Sequence, residues 1–98
     1  VWPLIQWTAE AQDWSGGDQG PDAYRTANTI AASTKDGGII LMHDMKINSA
    51  KATEMFIPKL EERGFMLLTV DELFAKDGVT LEANQAYWRC LDGVTTQY

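Results

Sequence analysis

The chain has 98 residues, of which 8 are Lys or Arg, 14 are Asp or Glu, one is His and one is Cys. The net charge of −6 disfavours nucleic acid as a partner, because a duplex binder displaces counterions with a basic surface. One Cys excludes an internal disulfide, and one His excludes a two-histidine metal site formed by this chain alone. Because no apolar run approaches about 20 residues, we expect no membrane span. The length predicts at most one compact domain.

The first part of the chain predicts a strand, a loop and a helix. Residues 4–8 have the apolar character of a strand, and the preceding Pro3 is tolerated at a strand's start. Residues 15–22 hold three Gly and one Pro, which prevent a regular element. Asp22 is a suitable N-cap for a helix over residues 23–33. Because the apolar run begins at once, we expect the sequence to start inside a domain.

Two later segments predict strands that are covered on both faces. Residues 38–42 and residues 65–70 are apolar at consecutive positions, as in the strands of a parallel sheet. A helix capped by Asn48 or Ser49 and ending at Arg63 separates them, with Gly64 as its stop. Pro58 lies inside this helix and predicts a kink or a later start.

The remaining pattern completes an alternation of strands and helices. Thr69 and Glu72 form a capping-box pattern that predicts a short helix through about Lys76, whereas residues 79–98 show no clear period. Alternation of this kind is typical of an α/β fold with parallel strands. A small doubly wound domain and a slice of a (β/α) barrel both fit. In either fold, ligands bind at the carboxyl ends of the strands.

His43 lies at such a strand end. A neutral imidazole can give or take a proton near pH 7, although a lone His is also compatible with a structural role. An acid–base role requires a partner that fixes the tautomer, and Asp13 and Asp44 are both candidates. We favour Asp13, because Asp44 adjoins His43 and neighbouring side chains on a strand point to opposite faces.

A pair of carboxylates lies after the first predicted strand. Glu10 and Asp13 stand three positions apart, and Trp14 follows directly. Such a pair can bind a metal ion or share a proton. A solvated loop that caps a helix accounts for the same residues equally well.

Three segments together resemble the polysaccharide deacetylase family, which is the NodB-homology domain of carbohydrate esterase family 4. They span residues 7–14, 35–44 and 64–73. Glu10-Ala11-Gln12-Asp13-Trp14 is similar to the family's Asp-x-x-Asp-Trp motif, and Leu41-Met42-His43 is similar to its Leu-x-His motif. The resemblance implies an α/β fold, the C-terminal part of a distorted (β/α) barrel. It further implies that residues 1–98 are the C-terminal half of one catalytic domain whose N-terminal half is absent from this chain.

The activity implied by the resemblance is metal-dependent hydrolysis of acetyl groups from a polysaccharide or oligosaccharide. His43 would be the general acid that protonates the leaving group, and Asp13 would hold its imidazole. Trp14 and Leu41 would form an apolar wall against the acetyl methyl group. Glu10 would contribute to substrate binding, although the family has Asp there and the longer Glu changes the reach.

The family's Thr-Phe-Asp-Asp, His-x-x-x-His and Arg-x-Pro motifs are absent from this sequence. The resemblance therefore implies that the missing half holds a divalent metal, zinc or cobalt, and that this chain alone binds none. The expected partners are that half and an acetylated polysaccharide, and the expected location is secreted or at a bacterial cell surface. Acetylxylan, chitooligosaccharide and peptidoglycan all remain candidate substrates, with the acidic composition favouring the first two.

Two other functions remain open on the sequence. A pseudo-enzyme that binds glycan without cleaving it is compatible with Glu10 and with the absent motifs. Alternatively, His43 and Asp44 would be half of a metal phosphohydrolase dyad. That function requires further His residues, and this chain has one.

Overall fold

The computed structural model describes residues 2–15 and 22–95 of the chain. Most of the loop predicted over residues 15–22 therefore lies outside the described residues, as does the end of the segment without a clear period. The helices are α1 (Ala23–Ser33), α2 (Ile47–Glu62) and α3 (Val70–Ala75). The strands are β1 (Leu4–Ile5), β2 (Ala86–Tyr87), β3 (Cys90–Leu91) and β4 (Val94–Thr95). No helix in these ranges is long and apolar enough to cross a membrane.

Helix α1 has the predicted bounds. Asp22 caps it, since Oδ1 accepts the backbone N–H of Arg25 at 3.1 Å. At the other end Thr34 turns to an extended conformation, and its hydroxyl donates to the carbonyl of Ile30 at 2.6 Å. The apolar stripe of small residues along α1 allows a second helix to approach closely.

Helix α2 begins at Ile47, slightly before the predicted start, and runs through Pro58 without ending there. It closes in a Schellman motif. Gly64 takes a φ of 89° and donates to the carbonyl of Glu61 at 3.0 Å, while the N–H of Phe65 reaches the carbonyl of Leu60 at 3.0 Å. Gly64 is therefore the helix stop that the sequence predicts.

Packing of α1 against α2 forms the larger core. Small side chains on α1 face larger ones on α2, and burial of this apolar surface provides the main stabilisation of the region. At its edge Lys59 Nζ donates to Asn28 Oδ1 at 2.9 Å. The buried residues of this interface are Ala23, Ala27, Ile30, Ala52, Phe56 and Leu60.

The two predicted doubly covered strands are not strands in the structure. Residues 38–42 take part only in isolated bridges, a parallel one between Ala9 and Ile40 and an antiparallel one between Gly38 and Arg89. Residues 65–69 form neither helix nor strand, and no hydrogen bond joins residues 66–68 to another described segment. The prediction was wrong because a strand needs continuous hydrogen bonding to a neighbour. Residues 38–42 are bridged at two positions only, and residues 66–68 have no neighbour among the described segments.

A second, smaller core lies under the C-terminal strands. Phe74 from α3 meets the ring of Tyr87 from β2 edge to face, with centroids 5.3 Å apart, and Cys90 is buried beside them. Strand β2 pairs in parallel with β1. Strands β3 and β4 form an antiparallel hairpin over Asp92-Gly93, where both residues have positive φ. The sequence had predicted no regular element in this region.

Candidate active site

Asp13 and His43 form the centre of the candidate site. The side chain of Asp13 is only 1% exposed, and its Oδ1 lies 2.8 Å from Nδ1 of His43. The other oxygen, Oδ2, accepts the backbone N–H of His43 at 2.8 Å. One carboxylate therefore fixes both the ring and the main chain of the histidine.

Local structure explains how Asp13 reaches this place. The preceding residue, Gln12, takes a φ of 53°, and its carbonyl accepts both the N–H of Ser15 at 3.0 Å and the Ser15 hydroxyl at 2.7 Å. This tight turn follows the bridge between Ala9 and Ile40, so residues 9–13 run beside the segment that leads into His43. Asp13 and His43 follow this parallel bridge at the same edge, where the sequence predicts that they meet.

A third residue, Ser49, completes the hydrogen bonding of the carboxylate. Its hydroxyl donates to Asp13 Oδ2 at 2.6 Å, and the serine is 4% exposed. Burial alone would raise the pKa of Asp13, but the hydrogen bonds from Ser49, from the backbone of His43 and from its ring together lower it below 3.8. The carboxylate is therefore ionised at neutral pH. The sequence predicts Ser49 only as a candidate helix cap.

An ionised carboxylate fixes the position of the imidazole proton. Because Asp13 can only accept hydrogen bonds, Nδ1 of His43 is the donor of the 2.8 Å contact. Nε2 is thus the atom left to exchange a proton with a ligand. The His43 side chain is 27% exposed and lines a small cleft of about 170 Å³. The other residues of this cleft are Met42, Asp44, Ser49, Ala50 and Thr53.

Three other predicted site residues, Trp14, Leu41 and Glu10, do not line the cleft. Trp14 follows Asp13 directly and is 49% exposed. Leu41, two positions before His43, is half-buried, and so is Glu10. Asp44, the other sequence candidate for contact with the histidine, is exposed and lines the cleft.

The described residues do not fit a metal site. Nowhere in residues 2–15 and 22–95 do three His, Cys, Asp or Glu side chains lie close enough to hold an ion. Both oxygens of Asp13 are also occupied by hydrogen-bond donors. The Asp13–His43 pair can hold and transfer a proton.

A larger apolar groove of about 690 Å³ lies apart from this pair. It runs between residues 34–40 and residues 63–70, and it includes neither Asp13 nor His43. Met66 and Leu67 on its rim are 76% and 44% exposed. The groove is thus open along the segment that lacks a strand neighbour.

Comparisons with known proteins give a consistent result, although no protein-family model matches the chain. The peptidoglycan-N-acetylglucosamine deacetylase PgdA of Listeria monocytogenes is 33% identical over 90 residues, which are 88% of this chain. A solved structure of the T48 deacetylase with substrate aligns over 87% of this chain, with a TM-score of 0.76 and 36% identity. The chain belongs to the polysaccharide deacetylase family. The family resemblance of the sequence is thereby confirmed.

A second solved relative fixes the fold of this polysaccharide deacetylase chain. The family 4 acetyl xylan esterase from Clostridium thermocellum, solved with a cobalt ion, aligns with a TM-score of 0.75 and 28% identity over 87% of the chain. The predicted fold class, part of a distorted (β/α) barrel, is confirmed. The chain spans 17% of the Listeria relative's length, and 40% and 42% of the two solved chains.

Proposed function

We propose that the protein containing this chain hydrolyses acetyl groups from a polysaccharide or oligosaccharide, with His43 as the general acid. The observation that carries the proposal is the Asp13–His43 contact of 2.8 Å beside a cleft. Collapse of a tetrahedral acetyl intermediate releases an alkoxide or an amine, which needs a proton. An imidazolium whose Nδ1–H is held by an ionised carboxylate can deliver that proton from Nε2.

Asp13 contributes by orientation and by charge. It keeps the proton of His43 on Nδ1 whenever the ring is neutral, and it stabilises the imidazolium that forms before proton delivery. Trp14 and Leu41 would provide apolar contact to the acetyl group, and Glu10 would contact the substrate. For these three residues the support is their sequence match and their place next to Asp13 or His43.

The proposal includes a second part of the same domain. Residues 1–98 would be the C-terminal half of one catalytic domain, and the N-terminal half would cover the apolar groove and provide a strand neighbour for residues 65–69. Support comes from the exposed Met66 and Leu67 and from the share of the solved relatives that the chain spans. The divalent metal, zinc or cobalt, would have its ligands in that half, since the described residues do not fit one.

Hydrogen exchange tests the second part of the proposal. The amides of residues 66–68 should exchange rapidly in the isolated chain and slowly in the full-length protein, because only the latter supplies hydrogen-bond partners. The amides of α2 provide an internal reference, since they are bonded within the helix in both samples. Equal exchange at residues 66–68 in the two proteins would contradict coverage of the groove.

Acetate release from acetylxylan, acetylated chitooligosaccharide and peptidoglycan tests the activity and selects among the substrates. His43→Ala should lower kcat about 100- to 10,000-fold, as expected for loss of an acid–base group. Glu61→Gln, on the exposed side of α2, is the control and should retain full activity. Undiminished turnover in His43→Ala would remove the general-acid assignment. Glycan binding by the wild type without any acetate release would support the pseudo-enzyme instead.

The proposed location is secreted or at a bacterial cell surface, which follows from the expected substrates. Acetylated plant and cell-wall polysaccharides are too large to be taken up intact. Immunoblots of culture medium, cell-wall and cytosolic fractions test this. Detection in the cytosolic fraction alone would contradict it.

A further inference from the structure

Ser49 occupies a defined place in the hydrogen bonding of the Asp13–His43 pair. Its Oγ lies 2.6 Å from Asp13 Oδ2, the same oxygen that accepts the N–H of His43 at 2.8 Å. The opposite oxygen, Oδ1, contacts the imidazole Nδ1 at 2.8 Å. Serine and aspartate are both buried, so water does not replace this contact readily.

The helix that carries Ser49 holds its hydroxyl in place. The residue lies in the first turn of α2, where its N–H donates to the carbonyl of Lys46 at 3.1 Å and its carbonyl accepts the Thr53 hydroxyl at 2.8 Å. Serine at this position commonly bonds to nearby backbone. Here the hydroxyl instead reaches a carboxylate 36 positions earlier in the chain.

We propose that Ser49 is a positioning residue of the active site, whose hydroxyl holds the Asp13 carboxylate so that Oδ1 stays directed at Nδ1 of His43. This proposal rests on the deacetylase function proposed above. The terminal torsion of an aspartate has a broad, shallow preference, so the carboxylate can rotate unless its oxygens are held. Two donors on Oδ2 prevent that rotation. With Ser49 truncated, one donor remains on Oδ2 and the ring contact loosens.

The hydroxyl also satisfies a buried charge. Its hydrogen bond to the carboxylate offsets burial, which by itself raises the pKa of Asp13. Without the Ser49 donor, the ionised form of this buried carboxylate is less stable relative to the neutral form, which cannot stabilise the imidazolium by charge. Both consequences act on proton transfer by His43 and neither acts directly on substrate binding.

The test compares Ser49→Ala with Ser49→Thr in the full-length protein. Ser49→Ala should lower kcat about 10- to 100-fold, the range expected for one hydrogen bond to a charged group, with KM little changed. Ser49→Thr keeps a hydroxyl and should restore most of the loss. Ser33→Ala is the matched control, because the Ser33 hydroxyl donates to the carbonyl of Thr29 at 2.7 Å within α1, and it should leave kcat unchanged.

Two further measurements distinguish a positioning role of Ser49 from an effect of its substitution on folding. Imidazole ¹⁵N shifts of His43 should indicate protonated Nδ1 in the wild type and a mixed tautomer in Ser49→Ala. In an Asp13→Asn background, Ser49→Ala should cause no further loss of kcat, because the carboxylate that Ser49 holds is gone.

Two outcomes would overturn the proposal. One is a folded Ser49→Ala with wild-type kcat and wild-type ¹⁵N shifts, and the other is a Ser49→Thr with a kcat as low as that of Ser49→Ala. If the wild type releases no acetate, the deacetylase function fails, while the ¹⁵N shifts still decide the role of Ser49.

Discussion

Both oxygens of Asp13 are bound to the same partner, His43, one through the ring Nδ1 at 2.8 Å and one through the backbone N–H at 2.8 Å. The two residues are 30 positions apart in the chain. A ring held only by its own side-chain torsions could turn. Here one carboxylate binds both the ring and the backbone N–H of His43. The direction in which Nε2 points therefore depends on Asp13.

Replacing Asp13 by Asn should therefore disturb catalysis without removing the histidine. The amide can present its NH₂ group to Nδ1, which favours the tautomer with the proton on Nε2 and removes the negative charge that stabilises imidazolium. We expect kcat for acetate release to fall at least about 100-fold. Asp71→Asn, at an exposed position of α3, is the control and should behave as wild type. A higher KM with an unchanged kcat would contradict this role.

Asp13 should also make the free energy of unfolding depend on pH in the acid range. Its pKa is lowered in the folded protein, so its contribution is complete above the unfolded value of 3.8 and is lost as the pH falls through the lower folded value. Unfolding midpoints in urea, measured from about pH 7 down to about pH 2, should converge for wild type and Asp13→Asn at the acid end. A constant difference across this range would contradict the lowered pKa.

Only the difference in urea midpoint between wild type and Asp13→Asn is assigned to Asp13. The pKa of Glu72 is lowered by hydrogen bonds with Thr69, and the pKa of Asp77 is lowered by Lys76 and by the N–H of Gly93. Both carboxylates are present in wild type and in Asp13→Asn. Their contributions to the acid dependence therefore cancel in the comparison.

Local signals predicted those parts of the fold that depend on neighbours in sequence. The Asp22 cap and the small apolar residues after it define α1, and the Thr69–Glu72 pattern forms the capping box that opens α3. Gly64 ends α2 because only a residue tolerant of positive φ closes a Schellman motif easily. Asp92-Gly93 is a further local signal, because this dipeptide is typical of a type I′ hairpin turn. The absence of a clear period over residues 79–98 had predicted no hairpin there.

Features that depend on distant segments could not be predicted in the same way. The apolar pattern of residues 65–70 shows that these side chains need cover, but it does not show which segment provides it. The contact of Ser49 could not be predicted either. Its hydroxyl binds Asp13, which lies 36 positions earlier, and no pattern around Ser49 indicates that partner. The pairing of Asp13 with His43 was predictable from the topological rule that parallel strand ends meet at one edge, and the family resemblance implied the same pair.

The capping box of α3 provides a prediction about stability alone. Thr69 Oγ1 accepts the N–H of Glu72 at 3.2 Å, and Glu72 Oε1 accepts the N–H of Thr69 at 2.9 Å. Thr69→Ala should lower the free energy of unfolding by about 1 kcal/mol, whereas Thr69→Ser should be nearly neutral. Thr80→Ala, at an exposed threonine without a cap role, is the control in the same urea titration. Equal effects at the two threonines would contradict the cap.

Two glycines with similar backbone angles should respond very differently to substitution by alanine. Gly37 and Gly64 have φ values of 76° and 89°, so alanine is strained at both, at a cost of about 1 kcal/mol. At Gly64 the added methyl meets nothing within 4 Å. At Gly37 it would overlap the carbonyl of Cys90, whose N–H donates to Gly37 at 2.8 Å. Gly37→Ala should therefore cost about 3 kcal/mol or more in chemical denaturation. Similar costs at both glycines would contradict the close approach of Gly37 to the Cys90 carbonyl.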